Sequence, residues 1–540
     1  MENGKKQGFR GNKDANGTQK RSFGGNSERK LGEKKPFGGK GRQGEEPKPS
    51  FGGAKHRFDG KKPAFGGKNY GKPGVKPGFG GNGVEDRPRK ARPEQQEGLP
   101  ARRIALEVIR AVTEKDSYIS LALDEKLRNC GLPVIDRRLA SRLAYDTIEN
   151  KMYLDHALDQ IMAKPDCDIK LRNVLRLGAC QILMEDRIPE SAACNTSVVL
   201  CKELGMEGLA GVCNGILRNL IRQKDELKWP DPETEMVKAL SIKYSVPQWL
   251  VERLQADWGE DAQALMSCRS HDSYITVRPN LTRLDDEAFE AFLNEKVWEH
   301  EKGKVAHSWR IRNMAEIAHD AGFVGGKFSI QSESSMMAAM AVEPKRGMQI
   351  LDCCAAPGGK SCLMAELMGG TGRVQAWELH EHRTNLITAQ AKRLGLENVR
   401  PMTRDAVKPR PDLASTMDAV LLDAPCSGLG VMADKPDVKY RASEESVQEL
   451  TALQEKLLDT VAPYVKKGGT LVYSTCSVLK DENVRQAEKF LARHPEFELV
   501  KLPESIPEKF RQHEGIGLQL LPHRDGVEGF YICRMRRKRL

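Results

Sequence analysis

Four short apolar runs in the last two hundred residues each stop on small or polar side chains. They are MQILDCCA from Met348, RVQAWE from Arg373, DAVLLDAPC from Asp418 and GTLVYSTCS from Gly469. Helical patterns such as HRTNLITAQAKRLGL, from His382, separate them. Strands alternating with helices predict a parallel sheet covered by helices on both faces over residues 341–540. Ligands of such sheets bind at the carboxyl ends of the strands. Every unusual cluster in this part of the chain falls at such an end.

The first cluster is Asp352-Cys353-Cys354-Ala355-Ala356-Pro357-Gly358-Gly359-Lys360-Ser361, leading into a helix. Small residues let backbone amides approach a ligand, and a helix N-terminus favours an anionic group. The cluster is not a phosphate loop of the Gly-x-x-x-x-Gly-Lys-Ser/Thr kind, because Cys354 stands where the first glycine belongs. The GxGxxG dinucleotide pattern is absent from this cluster too. The second run ends at Glu378, 20 residues after Gly358. An acid at that offset binds ribose hydroxyls in related sheets. A ligand with a ribose and an anionic tail is therefore expected, and S-adenosylmethionine has both. Asp405, after the next run, could accept from an adenine amino group. The last clusters are Asp423-Ala424-Pro425-Cys426-Ser427-Gly428 and Tyr473-Ser474-Thr475-Cys476-Ser477. A free cysteine is usually inert filling, the expectation for Cys353, Cys362 and Cys533. Two cysteines closing two neighbouring strands point to chemistry.

The rest of the chain has a different texture. Residues 1–100 hold 24 Lys+Arg against 11 Asp+Glu, while residues 101–540 hold 62 against 64. The surplus behind the net charge of +11 thus sits in one segment. That segment carries 23 of the 49 glycines, and Phe-Gly-Gly begins at Phe23, Phe37, Phe51, Phe65 and Phe79, 14 residues apart. Such a sequence cannot bury enough apolar surface to offset its ordering entropy, so residues 1–99 are expected to be a disordered tail. Its cations and spaced rings suit phosphates and unpaired bases, though a solubilising tail reads equally from composition. Residues 100–225 are helical in pattern, with Ile104, Val108, Ile109 and Val112 on one face of the first helix. Residues 226–340 mix helix with strand and predict a small α+β module. The 13 cysteines are odd in number and scattered, which fits reduced thiols rather than a disulfide framework, and none has zinc spacing. No metal is expected. No apolar run is long enough for a membrane span and no secretory signal is evident, so a cytosolic protein is expected.

Two resemblances add to this reading. Asp136-Arg137-Arg138-Leu139, the segment Leu175 to Leu183, Pro189 to Asn195 and Val212 to Arg218 resemble the NusB family of RNA-binding helical domains. Packing and capping account for the apolar members of those segments, and Glu190 and Asn214 can be structural as well. In the catalytic part, LDCCAAPGGKS, DAPCSG and YSTCS, in that order, resemble the Sun (NSUN) family of RNA cytosine-5 methyltransferases. Gln331 to Met336 resembles the segment before the first motif, with Ser332 where members often have Asp. His523 to Gly526 and Gly529 to Ile532 resemble the closing strand. A NusB-like domain joined to this domain points to the bacterial branch acting on 16S rRNA.

The resemblance implies a Rossmann-like class I methyltransferase domain that binds S-adenosylmethionine through Cys354, Ala355, Ala356, Pro357, Gly358, Gly359, Lys360, Glu378, Asp405 and Asp423. It implies catalysis by Cys476, Cys426 and Asp423, on carbon 5 of a cytosine of the 967 type in 16S rRNA. Carbon 5 of cytosine is a poor nucleophile, and a thiolate added at carbon 6 raises its electron density. By resemblance Cys476 attacks, Cys426 assists release, Asp423 holds the base edge, and Lys360 steadies the loop or an acidic neighbour. DNA cytosine methyltransferases attack from a Pro-Cys motif, the place of Cys426, so the extra Thr-Cys argues for RNA over DNA. A non-catalytic RNA-binding factor would show a broken loop or a missing cysteine. A methyltransferase on tRNA would fit the NusB-like domain poorly. No interface pattern is evident, and a monomer is expected.

Overall fold

The computed structural model describes residues 98–269, 274–312 and 317–539. The expected basic tail lies outside the described residues.

The chain begins with seven helices: α1 (Leu99–Lys115), α2 (Ile119–Leu127), α3 (Val134–Glu149), α4 (Lys151–Ile161), α5 (Ile169–Leu183), α6 (Glu190–Glu203) and α7 (Ala210–Gln223). On α1, Val108 and Ile109 are fully buried, with Ile104 and Val112 packed at the edge of the same core. Helix α5 is the hub, touching α1, α3, α4, α6 and α7. From Asn173 to Ile182 it is therefore buried on every side, and the polar Asn173, Arg176 and Gln181 are paired inside the protein. Arg176 grips Asp155 through two bonds of 2.8 and 2.7 Å and donates to Asn173 Oδ1. Arg102 Nε donates to Gln181 Oε1 at 2.6 Å. Gly178 lets α7 come close, since a Cβ there would lie 2.7 Å from Leu217 Cδ1.

Residues 226–340 contain two packing units. Helices α8 (Met236–Tyr244), α9 (Gln248–Trp258) and α10 (Asp261–Ser267) share a core with Leu429, Met432, Val478, Leu479 and Leu521, all from the catalytic part. The strands β1 (Ile275–Pro279), β2 (His300–Lys302), β3 (Trp309–Ile311) and β4 (Phe328–Ile330) form an antiparallel sheet in the order β2-β3-β1-β4, backed by α11 (Asp286–Glu295). Its own core is aromatic, built from Phe289, Phe292, Trp309 and Phe328. A fully buried ion pair, Arg278 Nη1 to Glu366 Oε2 at 2.6 Å, ties it to the catalytic part. Glu366 also accepts from Leu281 N, and Arg278 from β1 donates to Gln331 Oε1, while Arg278 Nη2 and Glu366 Oε1 are buried without a partner.

A short helix, α12 (Ala321–Val324), and then α13 (Glu333–Ala341) lead into the catalytic sheet. Its strands are β5 (Gln349–Asp352), β6 (Arg373–Glu378), β7 (Val399–Thr403), β8 (Met417–Asp423), β9 (Val465–Thr475), β10 (Phe497–Leu499), β11 (Glu514–Gly515), β12 (Gly517–Leu520) and β13 (Phe530–Arg537). The order is β11-β12-β13-β9-β8-β5-β6-β7, with β10 against β13. From β7 to β9 all neighbours are parallel, while β13 runs antiparallel to β9. Alternate residues of each strand enter different cores. Ile350, Leu421 and Val472 meet α13, α14 (Gly359–Leu367) and α15 (Glu381–Leu394). Leu351, Leu422 and Tyr473 meet α17 (Glu444–Val461) and α18 (Val484–Arg493) on the other face. The chain leaves β5 toward β6 and β7, then returns to β8 on the opposite side. That reversal opens the ligand crevice at the ends of β5 and β8.

Between β8 and α17, the one-turn helix α16 (Val438–Arg441) reaches the seven-helix domain. Tyr440 packs on that domain's core and donates to Glu149 O at 3.0 Å. Lys439 Nζ donates to Glu149 O and Tyr244 O, and burial pushes its amine down to about 7. Among the described residues no helix is long and apolar enough to cross a membrane.

Candidate active site

The loop after β5 is held against the sheet before it can meet a ligand. Ala355 N donates to Trp377 O in β6, and Gly358 N donates to Ala355 O. Gly358 has φ 105°, a conformation costly for any residue with a side chain, and a Cβ there would lie 3.2 Å from Ile387 Cα. Asp352 is fully buried, and its Oδ2 accepts from Ser361 Oγ at 2.6 Å. Burial, with Asp423 nearby, pushes its carboxyl up to about 7. Its Oδ1 has no partner.

Lys360 reaches back across the crevice to Asp423 Oδ2 at 2.7 Å. Burial works against the charged amine, but Asp423 outweighs it and the amine is raised. Asp423 Oδ1 accepts from Ser474 Oγ at 2.8 Å, so both oxygens of this carboxylate are engaged. β8 and β9 are thus cross-linked at their ends, and Ala424 N to Ser474 O extends the link.

Just beyond, Cys426 Sγ and Cys476 Sγ stand 3.2 Å apart, both half-buried. The hydrogen bond from Cys476, then burial, pushes the Cys426 thiol up. By contrast Cys353, Cys362 and Cys533 are buried in the sheet's cores, as inert filling should be. Burial pushes the Cys354 thiol up as well.

The two outlying acids sit at the next strand ends. Glu378, closing β6, is almost fully buried and accepts from His380 N at 3.1 Å and from Arg383 at 3.4 Å. Arg383 also donates to Ala356 O, which joins Glu378 to the loop after β5. Asp405, two residues past β7, accepts from Val407 N within its own turn. The structure therefore knits Asp352, Lys360, Asp423, Ser474 and the cysteine pair into one unit. Glu378 flanks this unit, and the bonds of Asp405 are local.

Two features were not singled out in the sequence. Asp352 was read only as part of its motif. Glu482 follows Cys476 by six residues and is fully buried beneath both cysteine turns. Nothing local marks it, because its partner Ser427 is 55 positions away.

Comparison with known proteins decides the family. Residues 339–536 match the family model for 16S rRNA methyltransferases RsmB/F, residues 99–222 match the NusB family, and residues 246–314 match a ferredoxin-like domain of RsmF/B-like methyltransferases. The probable ribosomal RNA small subunit methyltransferase B of Bacillus subtilis is 38% identical over 445 residues, covering 81% of this chain and 98% of that protein. The chain belongs to the ribosomal RNA small subunit methyltransferase B family. A Synechocystis member is 31% identical, over 81% of this chain and its own full length. Among solved structures, that of the protein PH0851 superposes with a TM-score of 0.70 at 26% identity, over 81% of this chain and 99% of that one. The chain is thus an S-adenosylmethionine-dependent methyltransferase with a NusB-like helical domain, a small sheet module and a mixed α/β catalytic domain, as its motifs implied. The site fits that donor. It offers an orphaned buried carboxylate oxygen, a glycine turn with no room for a side chain, and acids at successive strand ends.

Proposed function

We propose that the protein methylates carbon 5 of a cytosine in 16S rRNA, of the type at position 967, through a transient bond between Cys476 and the base. The observation that carries this is the thiol pair, 3.2 Å apart at the ends of adjacent strands. The hydrogen bond from Cys476, then burial, raises the Cys426 thiol, and the resemblance of YSTCS to its family motif assigns the attack to Cys476. S-adenosylmethionine, when bound, supplies an electrophilic methyl group. Cys354 to Lys360, Glu378, Asp405 and Asp423 would hold it, the loop backbone taking the amino-acid end and Glu378 the ribose.

The protein's steps are then as follows. The Cys476 thiolate adds to carbon 6, and the electron pair of the ring's double bond shifts toward carbon 5. Asp423 and Lys360, paired across the crevice, set the charge around the base edge. Carbon 5 takes the methyl group, leaving S-adenosylhomocysteine. The carbon 5 proton passes to solvent water, and the electron pair of that C–H bond re-forms the ring double bond as the sulfur of Cys476 leaves carbon 6 as thiolate. Cys426, against that sulfur, assists its departure. The base must be unpaired or flipped out for its carbon 6 to be reached. The seven-helix domain supports RNA as the polymer, by its NusB likeness.

The test pairs two assays. Cys426→Ala is expected to accumulate a covalent enzyme–RNA complex that disappears in Cys426→Ala/Cys476→Ala. Bisulfite mapping of a deletion strain is expected to lose one methylcytosine of 16S rRNA. A complex that forms without Cys476 refutes the chemistry, and an intact 16S map refutes the substrate.

A further inference from the structure

Glu482 has no role in the steps above, yet it is placed where both sulfur-bearing turns meet. Its Oε1 accepts from Ser427 N at 2.8 Å and from Gln454 Nε2 at 3.2 Å. Its Oε2 accepts from Ser427 Oγ and Ser477 Oγ, each at 2.5 Å. Ser427 and Ser477 directly follow Cys426 and Cys476, and their hydroxyls lie 3.2 Å apart. One fully buried carboxylate therefore spans two turns that are 50 residues apart in the chain. Around it, Asn483 takes the hydroxyl of Thr475 and donates to Ser477 O, and Tyr473 Oη donates to Glu482 O. Among the described residues no cation pairs with Glu482; hydrogen bonds alone compensate its charge. A buried carboxylate without a cation is costly, and bulk packing alone would be served as well by an apolar side chain.

We propose that Glu482 is a positioning residue that holds the Cys426 and Cys476 turns in the mutual orientation methyl transfer requires. This rests on the cysteine chemistry proposed above. A carboxylate suits the task because it offers only acceptors, and four groups from three residues donate into it. Glutamine presents one acceptor and one donor, so it must surrender part of the tie while keeping the volume. Aspartate is one methylene too short to reach both turns. The negative charge has a second consequence, for it faces Cys426 and adds to the forces that keep that thiol protonated.

The experiment uses the full-length protein. Glu482→Gln is expected to lower kcat by about 10- to 100-fold, the cost of a reacting group misplaced by a fraction of an ångström, with KM for donor and for RNA within about twofold. In protein without RNA, iodoacetamide labelling read by mass spectrometry is expected to rise at Cys426 relative to Cys476 by about fivefold, since alkylation follows thiolate character. Ser477→Ala cuts the tie on one side only and should move both readouts the same way by less. It decides the matter if Glu482→Gln does not fold by circular dichroism. Unchanged kcat and an unchanged labelling ratio in the folded variants overturn the proposal. The labelling ratio is independent of which sulfur attacks RNA. A shifted ratio beside an active Cys476→Ala would therefore retain the tether and reject the cysteine chemistry.

Discussion

The seven-helix domain and the strand ends of the catalytic sheet both carry cysteines, and they use them in opposite ways. Cys180, Cys194, Cys201 and Cys213 sit in the helical core, and burial pushes Cys180 and Cys213 up to about 12. Cys426 and Cys476 are only half-buried, face each other, and stand on turns fixed by buried polar groups. The residue type is the same, and Cys201 and Cys213 even lie within hydrogen-bond reach of each other; the difference is that the helix core buries its thiols and leaves them no opening. Strand ends leave an opening because the backbone diverges there and the chain must be tied by side chains. A thiol's surroundings decide its chemistry.

The sharpest way to break this comparison is the same substitution in both places. Cys476→Ala is expected to lower methyl transfer by about 10³-fold or more, as loss of a covalent nucleophile does. Cys213→Ala is expected to cost about 1 kcal/mol of stability and leave activity per folded molecule within twofold. Radiolabelled methyl transfer, normalised by the folded fraction from thermal melts, reads both. A comparable loss at both positions would erase the distinction.

A smaller contrast uses cations. Lys360→Met removes the partner of Asp423 at the crevice and is expected to lower kcat/KM by about 10²-fold. Arg176→Met removes the main partner of Asp155 in the helical domain, leaving it Arg172 at 3.7 Å, and should cost about 1 to 3 kcal/mol while kcat holds. Steady-state kinetics and urea melts on the two variants separate site from scaffold.

These contrasts also show what was legible in the sequence. Strand ends announce themselves locally, because an apolar run that stops on Asp-Ala-Pro-Cys or Ser-Thr-Cys needs no distant partner to be noticed. The helical face of α1 was legible for the same reason, by its period. In the small sheet β2, β3 and β4 have three residues each, too few to show alternation, so the sequence reveals only the mixed character of that module. Groups that act through distant partners were invisible. Arg278 and Glu366 meet across 88 positions, Glu482 and Ser427 across 55, and Lys439 and Glu149 across 290. Each looks like an ordinary surface charge until the fold buries it.

The smallest expected effect concerns Asp352, whose buried carboxyl makes the stability of the catalytic region respond to pH. Its value in the folded protein is about 7 against an ordinary 3.8, so the folded state holds the proton more tightly than the unfolded chain. A protonated Asp352 therefore stabilises the fold below about pH 4, and that contribution is lost as pH rises toward 7. The gap corresponds to at most about 4 kcal/mol, reduced in practice by Lys360 on the far side of the loop. Asp352→Asn keeps an acceptor for Ser361 and carries no charge. Its melting temperature relative to the native protein should accordingly climb between pH 5 and pH 8, by a few degrees. Arg102, buried in the helical domain, stays charged across that range, so Arg102→Met should show an offset without a slope. A flat difference for Asp352→Asn would mean that the carboxyl is ionised throughout, with Lys360 shared between two anions.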